Sequence, residues 1–432
     1  MLTALRGAFD KIGQSRFVRN AAVLMGGTLV AQAIPVLISP ILTRLYTPAE
    51  LGVFAVYFSL TMFLAVIATG RYDLAIILPA NRQKGVALTL LAMGLSVATA
   101  LVFTLLVAIA GPSMARGMGT PDLLPWLWLV GPATILMASY VSLTYWLNRH
   151  GRYGIMSRNR ILQSGLLAGG QLGMGATITG AFGLIVGHFI AQTITTATIF
   201  VTFAKSVRGR AWRLWRLDIA AVARHYVRHP KFLLAAHVAD KAAIESPTIA
   251  IAALYGPREA GFFMMAQRII TLPTSLVANA VGDVYRQNAT ETYRAQRSFR
   301  ALFLKTLSAL TALVILPIAA LIIIAPDLFA FIFGDEWRVS GDYAQWLALA
   351  AGLQFIFSPL DKGALILGAV RYISIWEYFR VSLMAAVIGA CAWWQLPVEQ
   401  FVAGVAFANA TVYLVDGFVQ WRISGGSSRL AR

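Results

Sequence analysis

The sequence predicts an all-α polytopic membrane protein with about twelve transmembrane helices, arranged as two pseudo-symmetric six-helix bundles around a central cavity. Three observations carry this expectation. The 432 residues are 58% hydrophobic and only 12% charged, whereas soluble domains hold about 25% charged residues. Mean hydropathy is +0.70. Apolar runs long enough to cross ~30 Å of hydrocarbon recur along the chain, separated by short polar segments.

Those runs fall at 21–45, 50–70, 85–110, 122–147, 160–180 and 182–204 in the first half. In the second they fall at 232–254, 260–283, 301–325, 343–366, 373–395 and 399–421. The corresponding organisation is a basic N-terminal segment (1–20), an N-lobe (21–204), a basic linker (205–231), a C-lobe (232–421) and a tail (422–432). The first segment holds basic residues and no cleavage-site pattern, so it reads as a cytoplasmic lead-in rather than a removable signal.

A net charge of +18 raises the prospect of nucleic-acid binding, but the distribution of charge argues against it. The cations sit in alternate loops, as the positive-inside rule requires of cytoplasmic segments. Arg149, Arg152, Arg158 and Arg160 form one such cluster, and Lys205 to Lys231 spans another. Arg286, Arg294, Arg297, Arg300 and Lys305 form a third. The opposite loops hold Arg44, Arg116, Arg258 and Arg338 beside acids such as Asp327, Asp335, Glu336 and Asp342. Both termini are therefore expected in the cytoplasm. The lone Cys391 excludes an internal disulfide and offers no metal-ligand cluster. No cofactor or metal is expected.

The run at 232–254 is unusual for a membrane span. His237, Asp240, Lys241 and Glu245 follow one another at i, i+3, i+4 and i+8, which places them on one helical face with Thr248. A charge at the bilayer centre costs at least ~2.5–3.5 kcal/mol on insertion scales, so the stripe must face protein or a wet cavity. Lys241 is about 15 Å deep and Arg268, on the next and antiparallel run, about 12 Å deep. A membrane protein that holds a polar cavity at mid-depth is most simply a transporter. The alternative for Lys241 is a structural pair with Glu245, in the order that helices favour less.

Residues 45–54 (LYTPAELGVF) and 254–263 (LYGPREAGFF) agree at Leu45/Leu254, Tyr46/Tyr255, Pro48/Pro257, Glu50/Glu259, Gly52/Gly261 and Phe54/Phe263. Thr47, Pro48 and Glu50 spell an N-cap, a first-turn proline and a capping-box acid. A cap alone does not require the flanking Leu-Tyr, Gly and Phe to recur. The match predicts two halves that cross the membrane in the same sense.

The stretch LTRLYTPAELGVFAVYFSLTMFLAVIATGRYDLAIILP (42–79) resembles the first two helices of Wzx-type oligosaccharide flippases, of the multidrug/oligosaccharidyl-lipid/polysaccharide exporter superfamily. The segment LYGPREAGFFMMAQRIITLPTSLVANAVGDVY (254–285) resembles that family's seventh-to-eighth-helix region. The resemblance implies movement of a polyprenyl-diphosphate-linked oligosaccharide from the inner to the outer leaflet by alternating access, for surface polysaccharide biosynthesis. It implies no enzymatic step. It also implies H⁺ or Na⁺ as a coupling ion and polymerase or chain-length proteins of the same pathway as partners.

On this reading Lys241, Arg268 and Arg71 are expected to contact diphosphate; Arg268 and the Arg71–Asp73 pair match the family pattern. Asp240, Glu245 and Asp73 are the candidate coupling or cavity carboxylates, and His237 and Gln32 the polar cavity groups. Gln32 and Ser59 stand where the second half has Lys241 and Arg268, so the cationic surface belongs mainly to the second half. Asp361, Lys362, Glu377 and Arg380, near the inner ends of the tenth and eleventh runs, are expected as inner-gate or helix-pairing charges. The rival readings are a drug/ion antiporter of the same superfamily, whose cavity should be net acidic, and a membrane polysaccharide polymerase or ligase. The latter needs a larger outer loop than 326–342.

Overall fold

A computed structural model describes residues 16–207, 219–227, 230–361, 363–367 and 370–426. Among them there is no β-strand. The first half comprises α1 (Arg16–Leu37), α2 (Ser39–Leu45), α3 (Pro48–Ala68), α4 (Arg82–Gly117), α5 (Leu124–Arg149), α6 (Tyr153–Gly175) and α7 (Phe182–Val207). A short α8 (Ile219–His225) precedes the second half. That half comprises α9 (Ala235–Tyr255), α10 (Pro257–Gln296), α11 (Arg300–Phe333), α12 (Arg338–Phe357), α13 (Gly363–Ile366), α14 (Val370–Trp394) and α15 (Val398–Ser424). Each of the twelve expected runs coincides with a helix, the first being the pair α1 and α2, which breaks just after Pro35. A proline inside a helix lacks the N–H for the backbone ladder and crowds the preceding turn.

Among the described residues, eight segments are long and apolar enough to cross a membrane by length and composition, namely Val23–Leu45, Pro48–Ala68, Arg82–Gly117, Pro121–Arg149, Phe182–Val207, Arg300–Phe333, Ile375–Trp394 and Val398–Ser424. The remaining long helices are α6, α9, α10 and α12. Their hydropathy is diluted by polar side chains: Arg158, Arg160 and Gln163 on α6, the charged stripe on α9, Gln267 and Arg268 on α10, and Gln345 and Gln354 on α12. Helices of a bundle interior can carry such groups because they face protein and not lipid. The lipid-type exterior is plain on α11, where Leu313, Ile315, Leu316 and Ile323 are all more than half exposed.

The chain forms two compact units. Of the described residues, one comprises those within 16–38, 61–110 and 125–235, and the other those within 39–60, 111–124 and 236–426. In the first, α6 packs against α1 and α7. A Cβ on Gly170 would lie 3.0 Å from Gly187, and the reverse holds, so these two glycines let the backbones of α6 and α7 approach closely, as small residues do in membrane bundles. The aromatic centre of this unit joins Tyr72, Trp146 and Phe203. Arg149 reaches the carbonyls of Ile76 (2.9 Å), Ile77, Ala80 and Asn81, and so ties α5 to the segment after α3.

In the second unit α12 is central, packing against α10, α11 and α15. Here the repeated motif shows its physical basis. The Thr47 backbone N–H donates to Glu50 Oε2 at 2.8 Å, and the Glu50 N–H donates to Thr47 Oγ1 at 3.3 Å, which is a complete capping box. In the second copy Gly256 occupies the cap position at φ 97°, and Glu259 accepts a hydrogen bond from the Tyr343 hydroxyl instead. The glycines pack reciprocally. A Cβ on Gly52 would sit 1.7 Å from the Pro257 carbonyl oxygen, and one on Gly261 would sit 1.9 Å from that of Pro48. The first turns of α3 and α10 thus lie backbone to backbone, each glycine against the other copy's proline. Buried Trp337, which donates to the Thr43 carbonyl at 3.3 Å and packs edge-on to Phe262, closes the same region.

Candidate functional site

The charged residues of α9 divide into two pairings with different directions. Successive residues on a helix point ~100° apart, and Asp240 and Lys241 accordingly reach different partners. Lys241 Nζ lies 3.2 Å from Glu245 Oε1 one turn along the same helix. The two side chains are 21% and 12% exposed, so the pair is mostly withdrawn from water. Asp240 Oδ1 accepts from Arg380 Nη1 of α14 at 2.7 Å. That ion pair bridges helices far apart in sequence, and its side chains are 29% and 19% exposed. His237 is half-buried on the same helix.

Arg380 stands within a larger polar network of the second unit. Glu377 faces the charges of Asp240, Arg380 and Asp416, and its Oε2 is buried with no hydrogen-bond partner among the described residues. Asp416, buried on α15, accepts from the Tyr372 hydroxyl at 2.7 Å and from Gln420 Nε2 at 3.1 Å. Gln420 Oε1 in turn accepts from the Ala364 backbone N–H at 3.2 Å. Asp361 lies within electrostatic reach of Tyr372 and Tyr413; Lys362 lies outside the described residues. The Asp361 and Glu377/Arg380 positions therefore do share one neighbourhood, and there Arg380 reaches out to Asp240 of α9. Beside Arg380 is a cavity of about 180 Å³ lined also by Gln267, Thr271, Gln354, Asn409 and Tyr413.

Arg268 differs from Lys241 and Arg380. It is half-buried, about 17 Å along α10 from Pro257. Among the described residues it has neither an ion-pair nor a hydrogen-bond partner. Lys241 and Arg380 are neutralised locally, and Arg268 is not.

The first unit holds Arg71 and Asp73. Arg71 adopts a left-handed conformation (φ 59°) at the end of α3. The Thr69 hydroxyl accepts from the Arg71 N–H at 3.2 Å and donates to Asp73 Oδ1 at 3.0 Å. Arg71 Nη1 is 3.8 Å from Asp73 Oδ2. Asp73 is 1% exposed, so these contacts fix the turn that follows α3. Gln32 is half-buried on α1.

Sequence reasoning missed Asp416, Tyr372, Tyr413, Asn409 and the glutamines of the cavity. Asp416 had a signal: it is an acid inside the apolar stretch VYLVDGFV of the last span, where a lone carboxylate is itself informative. The amides and tyrosines had none, because such side chains occur at many membrane-helix positions and only the packing of α10, α12, α14 and α15 converges them.

A family model described as "Polysaccharide biosynthesis protein" matches residues 41–342. The succinoglycan biosynthesis transport protein ExoT of Rhizobium meliloti (strain 1021) is 22% identical over 365 residues, covering 82% of this chain and 69% of that protein. Among solved structures, the lipid II flippase MurJ in an inward closed conformation superposes with a TM-score of 0.70 at 12% identity, over 94% of this chain and 90% of that one. The inward-facing conformation of a multidrug resistance MATE family transporter of the MOP superfamily gives 0.69 at 15% identity, over 95% and 98%. At those identities the structural matches establish the fold alone, the all-α architecture that those two proteins share, as the span pattern predicts. The family match covers well over half of the sequence, and on that ground the chain belongs to the polysaccharide biosynthesis protein family.

Proposed function

We propose that this protein is a flippase that moves a polyprenyl-diphosphate-linked oligosaccharide from the inner to the outer leaflet of a bacterial inner membrane by alternating access, supplying surface polysaccharide biosynthesis. The observation that carries the choice of cargo is Arg268. Asp240 and Glu245 each have a cation of their own, whereas Arg268 keeps its charge unmatched among the described residues. An uncompensated guanidinium within the membrane is an anion-binding group, since it supplies several N–H donors in a planar fork that fits phosphate oxygens. Two similar proteins support the reading by name, one a succinoglycan biosynthesis transport protein and the other a lipid II flippase.

In this reading Arg268 is the principal diphosphate contact. Lys241 and Arg71 stand in support, each released to the cargo only if its carboxylate partner, Glu245 or Asp73, gives it up. Residues 21–204 and 232–421 act as the two lobes, both termini face the cytoplasm, and polymerase or chain-length proteins receive the product. The coupling ion, H⁺ or Na⁺, is taken up by carboxylates of the second half, and Asp240 is a candidate because its ion pair with Arg380 joins α9 to α14. A drug/ion antiporter is the competing reading, supported by the match to a MATE transporter fold; it requires a cationic cargo, which an unmatched arginine opposes.

The test is flipping of a polyprenyl-diphosphate oligosaccharide in proteoliposomes. Arg268→Ala is expected to slow flipping at least about tenfold, the loss of one charge-assisted contact of ~1.5–3 kcal/mol, and Arg268→Lys to restore part of it. Undiminished flipping by Arg268→Ala removes the assignment, and export of an organic cation by the wild type would favour the rival.

A further inference from the structure

The basic end of the second unit carries an amphiphile-shaped surface that the flippase reading does not use. α10 ends and α11 begins at a joint tied to the end of α15: the Phe299 N–H donates to the Ser424 carbonyl at 2.9 Å, and the Ser298 hydroxyl donates to the same oxygen at 3.1 Å. Around this joint stand Arg297, Arg300 and Arg422, all exposed. None makes an ion pair among the described residues. Each guanidinium instead lies on an aromatic face. Arg300 Cζ is 4.2 Å from the Trp421 ring centre, Arg422 Cζ is 4.8 Å from Phe418, and Arg297 Cζ is 6.0 Å from Tyr293. The Trp421 and Phe418 rings are themselves 5.8 Å apart, so Arg300, Trp421, Phe418 and Arg422 form one continuous stack.

Stacking occupies the flat face of a guanidinium and leaves its N–H edge outward. Two such edges held on adjoining rings offer donors to phosphate oxygens with little conformational entropy left to lose. Below them runs a half-exposed apolar stripe on α15, formed by Phe407, Leu414, Val415 and Phe418, between 40% and 52% exposed, with Thr411 between. From Phe407 to Arg422 is about 22 Å of helix, more than the ~15 Å depth of one leaflet. A free anion has use for the arginines alone; a molecule with a phosphate at one end and a hydrocarbon chain at the other matches both parts.

We propose that the stacked arginines Arg300 and Arg422, with Arg297 at the rim and the exposed face of α15 beneath, form a binding site for the headgroup and acyl chain of an anionic phospholipid of the surrounding leaflet. The site is separate from Arg268 and its cargo, and its test does not depend on flipping. It also gives the interfacial aromatics a defined task, because Trp421 and Phe418 hold the arginine planes in place.

The experiment uses the full-length protein in mixed micelles with equal amounts of phosphatidylglycerol and phosphatidylcholine, bound lipid being read by native mass spectrometry. Each juxtamembrane arginine is worth about fivefold in preference for an anionic lipid, so the wild type should retain the glycerol lipid on the order of twentyfold over the choline lipid. Arg300→Gln/Arg422→Gln should fall to near parity, and Arg422→Gln alone by about fivefold, which keeps the test open should the double variant not fold. Arg286→Gln, already paired with Asp283 at 3.3 Å, should leave the preference unchanged. Equal retention of both lipids by the wild type, or an unaltered preference in Arg422→Gln, overturns the proposal. Displacement of the lipid by equimolar inorganic phosphate would mean a free-anion site and overturns it equally.

Discussion

At the scale of single residues, the decisive fact is how the charges of the second half are matched. Asp240 and Arg380 form a 2.7 Å contact between α9 and α14 with both side chains less than a third exposed. Bringing such a pair out of water costs much of what its attraction returns, whereas removing one member leaves the other stranded. Arg380→Gln should therefore destabilise the protein by about 2–4 kcal/mol, with Asp240 and Glu377 then facing one another uncompensated. The double variant Asp240→Asn/Arg380→Gln should recover a large part of that loss. Thermal unfolding of the four proteins in detergent, taken as a double-mutant cycle, measures the coupling. Equal losses for the single and the double variant would mean that the pair contributes packing rather than charge matching. The i, i+3, i+4, i+8 pattern revealed that α9 must face protein or water, and a helical wheel puts Lys241 within one turn of Glu245 while leaving the partner of Asp240 open. Only the arrival of α14 decides which carboxylate meets which cation. Arg380 was legible as a charge and not as the partner of Asp240, because the two are separated by most of the second half of the chain.

At the scale of elements, the repeated decapeptide had two meanings and the sequence disclosed one. The cap was readable from Thr47, Pro48 and Glu50 alone, since its hydrogen bonds are local. The purpose of Gly52 and Gly261 was not, because it rests on a contact between helices more than two hundred positions apart. Each glycine faces the other copy's proline carbonyl, with room for no side-chain carbon. Gly52→Ala and Gly261→Ala should each cost about 1–3 kcal/mol by overpacking, and since backbone is what each methyl would meet, the upper end applies. Gly94→Ala on α4, where a Cβ meets nothing within 4 Å, should be neutral or gain up to ~1 kcal/mol from helix propensity. Thr47→Ala should cost about 1 kcal/mol through the lost cap. Thermal unfolding of this set separates contact from cap: if Gly52→Ala and Gly94→Ala shift the midpoint alike, the reciprocal packing is not what the glycines serve.

At the scale of the whole molecule, span number and helix order were legible because the solvent imposes them: each crossing needs ~30 Å of self-satisfied backbone, and the apolar runs record it. The helices that fell short of a purely apolar composition include α9, whose Asp240 meets Arg380 of α14, and α10 and α12, whose Gln267 and Gln354 line the cavity beside it. But α14 and α15 contribute to the same network from segments that read as apolar. Orientation rests on a different quantity, the Lys and Arg of alternate loops. It yields a prediction independent of any cargo. Cys391 is buried and can be replaced by serine to give a cysteine-free background for labelling. In that background Thr177→Cys and Gln395→Cys, both in exposed loops on the side poor in cations, should react with a membrane-impermeant maleimide added to intact cells. Asn81→Cys and Arg152→Cys, exposed in loops on the cation-rich side, should react only after the membrane is opened. The opposite pattern would put the joint of α10, α11 and α15 on the outer face and Arg268 near the inner end of its path. A mixed pattern would mean that one of the polar helices does not cross at all, and α6 would be the first to re-examine, since both Thr177 and Arg152 flank it.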